Sequence, residues 1–253
     1  MKFQYASDLH QEFPENRAFL QQKPIVPSAP YLLLAGDIHV FDQQEKEVES
    51  FFDYLSENWT QVFIVPGNHE NYLFGNMAEL FTIDLDIRPN VKYVNHQKIE
   101  LEGVDLFFST LWSHCNSDAI EGIVRDFYNC TYNGDDYTYT HHNELHHRAV
   151  AWLNRELSRK RIKPRILISH FVPTLKVDGS FKAYNAHTRM LKDYYVASLD
   201  EFLPQWHLDY WIYVHSHANR DCFEYGTQFL SNMLGYVKHG EHEKFKNDKI
   251  LKI

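Results

Sequence analysis

Five short stretches of this 253-residue chain carry side chains of one chemical kind: Asp8-Leu9-His10, Gly36-Asp37, Gly67-Asn68-His69-Glu70, Ser169-His170 and His215-Ser216-His217. Carboxylate, amide oxygen and imidazole all bind divalent ions. No thiolate stands among them, which suits Mn, Fe, Zn or Co better than a cysteine-rich structural zinc. On extended chain, residues i and i+2 point the same way, roughly 6–7 Å apart. Asp8 with His10, and His215 with His217, are therefore each expected to present two side chains to one side. Two ions about 3.5–4 Å apart need a shared ligand, and a carboxylate such as Asp37 is the residue type that bridges. Gly36 before it permits a tight turn or a close backbone approach.

Each stretch ends an apolar run. Residues 2–6 lead into Ser7-Asp8, 31–35 into Gly36-Asp37, and 62–65 into Pro66-Gly67. Residues 165–168 lead into Ser169-His170, and 210–214 into His215. Short apolar runs closed by turn residues read as buried strands. Between them, residues 44–58 place Val48, Phe51, Phe52 and Leu55 on one helical stripe. Residues 142–159 do the same with Leu145, Ala149, Trp152 and Leu153. Residues 106–108 and 228–230 read as further strands. Such alternation predicts α/β layering, with ligands gathered beyond the carboxyl ends of the strands. Any one polar strand end is more often a cap or a turn, but caps do not account for five ends that carry only ligand types.

Without repeats or a Pro/Gly/Ser-rich linker, residues 1–253 read as a single domain. A polar loop or helix insertion is expected around 112–150, near the active face. The formal net charge of −9 argues against a nucleic-acid polymer as partner, which calls for a basic patch. Sixteen histidines beside excess carboxylate point to divalent metal instead. No run of about 18 apolar residues predicts a membrane span. The start, MKFQYASDLH, does not read as a signal peptide, and three cysteines without CxxC spacing suit a reducing cytoplasm.

In this order the five blocks, with the string PGNHE at 66–70, resemble the calcineurin-like metallophosphoesterases. The resemblance runs from residue 8 to residue 217. It implies a four-layer α/β/β/α sandwich with two mixed sheets and a dinuclear metal site at the carboxyl ends of strands. It also implies hydrolysis of phosphate mono- or diesters of a small molecule or nucleotide. Asp8, His10 and His217 would bind one ion, Asn68, His170 and His215 the other, and Asp37 both. A water or hydroxide between the ions would attack phosphorus, with His69 assisting the leaving group and Asp37 or Glu70 orienting it. Thr110-Leu111-Trp112 and the stretch from Ser231-Asn232 to Gly235-Tyr236 are weaker points of likeness.

Outside the motifs, His39, Asn219 and Arg220 are candidate substrate contacts, and Asp126-Phe127-Tyr128 a candidate flank of the pocket. The run His141-His142-Asn143-Glu144-Leu145-His146-His147 is read as a solvated helix start, not as a metal site. The cysteines are read as ordinary thiols. One residue departs from the family pattern: Val214 precedes His215 where members usually carry glycine. A β-branched residue does not adopt φ > 0 at reasonable cost. Either the backbone there is ordinary, or His215 is displaced and the chain is a weakened binding or scaffold member. Retention of every ligand favours the ordinary backbone.

Overall fold

Along the strand Tyr31–Leu34, Tyr31 and Leu33 pack to one side while Leu32 and Leu34 pack to the other. Successive side chains of a strand leave opposite faces, and both faces here are apolar because both are covered. Arg165–Ser169 divides in the same way, with Ile166 and Ile168 on one side and Leu167 on the other. The computed structural model describes residues 1–41, 46–178 and 186–253, and within it these strands form two six-stranded sheets.

The first sheet runs in the order Ile250–Lys252, Lys2–Ala6, Tyr31–Leu34, Gln61–Ile64, Val91–Val94, Asp84–Arg88. Its four central strands are parallel, and each edge strand is antiparallel. The second runs Cys222–Glu224, Thr227–Leu230, Tyr210–Ile212, Arg165–Ser169, Val104–Ser109, Gln97–Leu101, again parallel in the middle and antiparallel at both edges. Phe3, Leu33 and Phe63 of the first sheet meet Phe108, Ile168 and Ile212 of the second in a shared core. The outer face of the first sheet is covered by helices Pro14–Gln22 and Lys46–Asn58 through Leu20, Val48, Phe52 and Leu55. Helices Tyr139–Leu157 and Leu203–Trp206 cover the second through Trp152, Leu153 and Trp206. The result is the expected α/β/β/α sandwich.

The helix expected from Gln44 is described from Lys46, since residues 42–45 lie outside the described residues. The 112–150 stretch, expected as a polar loop or helix insertion, holds short helical turns, a β-ribbon and most of the helix Tyr139–Leu157. Trp112, Ile120, Phe127 and Tyr137 pack with Met77, Leu80, Leu145 and Phe171 in a fourth apolar cluster. Cys130–Tyr132 adds a short ribbon with Gly75–Asn76 and Asp135–Asp136. Aromatic residues spaced among charged ones supply this core without any clear helical or strand period. Among the described residues, no helix is long and apolar enough to cross a membrane.

Candidate metal centre

Parallel register brings the functional strand ends to one edge. Ala6, Leu34 and Ile64 are aligned across the first sheet, and Ile168, Ile212 and Leu230 across the second. Main-chain bonds carry the alignment past the strand ends. Asp8 N–H donates to Gly36 O, His10 N–H to Asp37 O, and Val214 N–H to His170 O, at 2.9–3.1 Å. Asp8, Asp37 and Asn68 thereby face His170, His215 and His217 across the space between the sheets.

The backbone there is not extended, as the i, i+2 spacing implied. Asp8, His10, Asp37, His215 and His217 all adopt left-handed φ, between +46° and +79°. Strain of this kind costs about 1–3 kcal/mol per residue and is characteristic of functional sites. Two glycines allow the strand ends to approach. A Cβ on Gly36 would lie 2.6 Å from both Gly67 N and His170 Nδ1, and one on Gly67 would lie 2.1 Å from Asp37 Oδ1. The two glycines are fixed by this close approach, and Gly36 also by its φ of +95°.

Asp37 is the hub. Its Oδ1 accepts the backbone N–H of His69 at 2.9 Å, which leaves Oδ2 facing His170 Nε2 at 3.4 Å, His10 Nε2 at 3.8 Å and His69 Nε2 at 3.9 Å. On one side, His217 Nε2 lies 3.3 Å from Asp8 Oδ1 and 3.1 Å from His10 Nε2. On the other, His170 Nε2 lies 3.1 Å from Asn68 Oδ1 and 3.0 Å from His215 Nδ1. Asp8, His10 and His217 offer ligand atoms within 4.8 Å of one another, as do Asp37, His170 and His215.

Outer contacts decide which atom each ring presents. His10 Nδ1 faces Glu12 at 2.9 Å, His217 Nδ1 faces Glu241 at 2.6 Å, and His170 Nδ1 donates to Ala35 O at 2.9 Å. Each ring therefore turns Nε2 inward, the arrangement that carboxylate and carbonyl partners give to metal-bound imidazole. The inward atoms are oxygens or ring nitrogens whose lone pairs converge, and Asp8 Oδ1 is buried with no hydrogen-bond partner. Such a set requires positive charge between its members. Against the opposing effect of burial, the nearby carboxylates of Asp8 and Glu241 push His217 up to about 10. Asp37 likewise pushes His170 up to about 9 despite its burial. Divalent ions would replace those protons, so the residues fit a metal site with N and O ligands.

Glu70 is fully buried and accepts three backbone N–H groups, from Gly67 at 2.7 Å, Ile38 at 2.8 Å and Asp37 at 3.1 Å. With both oxygens taken by main-chain N–H groups, it braces two loops. It does not orient His69, which corrects that expectation. Glu12 has that role, with Oε1 at 2.7 Å from His69 Nδ1. Glu12 lies beyond the strand-end motif, although it continues the spacing Asp8-x-His10-x-Glu12. Asp126, expected as a flank of the pocket, lines it and touches Asn68, whereas Glu241 has no such signal; both are remote in sequence from the residues they touch. Tyr72 stacks on His69 with ring centroids 4.1 Å apart, and Tyr236 OH lies 3.5 Å from His69 Nε2.

The three candidate substrate contacts do not reach the cleft. His39 is buried against Phe41, Phe52 and Tyr93, and burial pushes it down to about 4. Asn219 exchanges both hydrogen bonds of its amide with the backbone of Met233. Arg220 directs its guanidinium to Lys176 O at 3.3 Å. The histidine-rich run is a helix start solvated on one face only, with Glu144 and His147 exposed. His142 and His146 lie on the buried face of Tyr139–Leu157, bonded to Ser113 Oγ and Tyr137 OH, and to Trp112 O. The three cysteines are free thiols, two of them buried. Val214 has no positive φ and packs in the inter-sheet core, while the left-handed turn falls on His215 at +79°. His215 keeps its place beside His170, so the departure from glycine gives no support to a displaced ligand.

A family model described as calcineurin-like phosphoesterase matches residues 1–219. An uncharacterized protein of Acanthamoeba polyphaga mimivirus is 26% identical over 264 residues, spanning 92% of this chain and 90% of that one. Among solved structures, the phosphopantetheinyl hydrolase of Mycobacterium tuberculosis superposes with a TM-score of 0.69 at 17% identity, covering 96% of this chain and 92% of that one. At that identity the likeness is one of fold.

Proposed function

This chain belongs to the calcineurin-like phosphoesterase family and is a metal-dependent phosphoester hydrolase; from that premise, we propose how its own residues divide the work. Asp8, His10 and His217 would hold one divalent ion, and Asn68, His170 and His215 a second, with Asp37 shared between them. The donor set of imidazole, carboxylate and amide oxygen suits Mn, Fe, Zn or Co. When bound, two such ions supply an activated water and neutralise charge on the phosphoryl oxygens. His69 protonates the leaving oxygen. Burial works against its charged form, but Asp37 and Glu12 push it up to about 9. With Nδ1 held by Glu12, its Nε2 carries the transferable proton.

The substrate is a small phosphorylated molecule or nucleotide. The cleft over the site measures about 970 Å³ and is lined by Tyr72, Tyr194, Tyr195 and Tyr236 together with Arg125 and Lys238. That volume matches small-molecule sites, about 300–1,000 Å³, and the lining suits a flat ring and a second anionic group. The whole chain works as one domain, with the 112–150 segment as a wall of this cleft.

The convergence of His10, His170 and His69 on a single oxygen, Asp37 Oδ2, is the observation that carries this reading. Its test is metal analysis of the purified protein together with hydrolysis of p-nitrophenyl phosphate, bis-p-nitrophenyl phosphate and a nucleotide panel with Mn. His69→Ala is expected to keep its ions and lose about 10²- to 10⁴-fold in kcat. Absence of metal-dependent turnover on every substrate would overturn the proposal.

A further inference from the structure

The 112–150 segment does more than wall the cleft. Asp126, fully buried at the start of the short helix Asp126–Asn129, reaches a metal-ligand residue from outside all five strand-end motifs. Its Oδ1 accepts Asn68 Nδ2 at 3.0 Å and Tyr72 OH at 2.7 Å, and its Oδ2 accepts Tyr194 OH. We propose that Asp126 is a positioning residue for the second ion: it fixes which end of the Asn68 amide faces the metal site. The proposal rests on the dinuclear reading above.

An amide has two nearly isosteric ends of opposite polarity, and only the oxygen ligates a cation. Asp126 Oδ1 already accepts Tyr72 OH, so it offers Asn68 a lone pair and no proton. Facing Asp126, Asn68 must offer its NH2 group, and Oδ1 then points at His170 Nε2, 3.1 Å away. Tyr72 OH takes a second bond from the same NH2 group at 3.2 Å while donating to Asp126, so no other acceptor competes for the amide. Tyr194 steadies the far oxygen. The chain thereby sets the polarity of one ligand by a residue 58 positions away in sequence.

Asp126→Asn keeps the volume but adds a donor, which lets Asn68 turn its oxygen away from the site. Titration of the ion-free full-length protein with Mn, read by calorimetry and metal content, tests this. Wild-type protein should take two ions. Asp126→Asn should bind the first normally and the second about 10- to 100-fold more weakly, the usual cost of losing an outer-shell partner. Adding Asn68→Asp to that variant should restore the second ion, because a carboxylate presents an oxygen in either orientation. Tyr194→Phe removes one hydroxyl and serves if Asp126→Asn does not fold; it should weaken the second ion to a smaller extent. Wild-type affinity for both ions in whichever of these single variants folds, or loss in folded Asp126→Asn that Asn68→Asp does not repair, would overturn the role of Asp126. A wild-type protein that takes up no second ion would instead overturn the dinuclear reading itself.

Discussion

Glu12 holds His69 at 2.7 Å through Oε1, and the same oxygen lies 2.9 Å from Nδ1 of His10. One carboxylate oxygen thus serves a proposed metal ligand and the proposed acid together. Glu12→Gln removes the charge that helps hold His69 up at about 9 against burial. We expect kcat to fall about 10- to 100-fold. The high-pH limb of the kcat profile, where the acid loses its proton, should move to lower pH. A profile measured from pH 6 to 10 checks both, and an unmoved limb would sever Glu12 from the acid.

Ion uptake should release protons. Below about 9, His170 is protonated in the ion-free protein, and below about 10 so is His217. Each ion is therefore expected to displace about one proton at pH 7.5. The apparent affinity should rise as pH rises toward 9 and level off above 10. Calorimetric titrations in two buffers of different ionisation enthalpy give the proton count, and heats that do not depend on the buffer would contradict it.

Restoring the family's usual glycine with Val214→Gly should harm the fold without improving catalysis. Val214 is 1% exposed within the inter-sheet core, and its backbone needs no positive φ. Lost burial and added chain entropy together predict destabilisation of about 2–3 kcal/mol. Denaturant unfolding measures the loss, while kcat/KM at 25 °C should stay within twofold. A more active variant would show that valine is a compromise.

Acid should weaken the fold through His142. Burial holds this ring down at about 3, against 6.5 for an ordinary histidine. Above pH 6.5 neither state takes up the proton, and the full stability is present. As pH falls from there toward 3, the unfolded chain is protonated and the folded one is not, so stability declines by up to about 1.4 kcal/mol per pH unit. His142→Gln, measured in chelator, should show a shallower decline than the wild-type chain over pH 6.5–4. Equal slopes would assign the acid lability to other groups.

The residues that gather at the proposed metal site were legible because a strand end followed by Asp, Asn or His leaves few alternatives once five coincide. The sheets were legible for a related reason: buried parallel strands such as Tyr31–Leu34 are apolar on both faces and stand out as runs. What the sequence hid was cross-chain pairing. Neither Glu241 nor Asp126 carries a local mark of the ring or amide it faces, and only folding brings them within 3 Å. Polarity misled twice. His142 looked solvated, yet Ser113 and Tyr137 satisfy both its ring nitrogens in the core. His39 was a candidate cleft residue from its place two after Asp37, but it packs among Phe41, Phe52 and Tyr93.

The left-handed backbone at residues 8, 10, 37, 215 and 217 narrows the alphabet at those positions twice over. Aspartate and histidine bind borderline ions, and they are also among the residues with side chains most often found in this backbone region. Glycine would satisfy the conformation and lose the ligand, whereas a β-branched residue satisfies neither demand. Substitution rules based on side-chain chemistry alone therefore misjudge how far these five positions can drift.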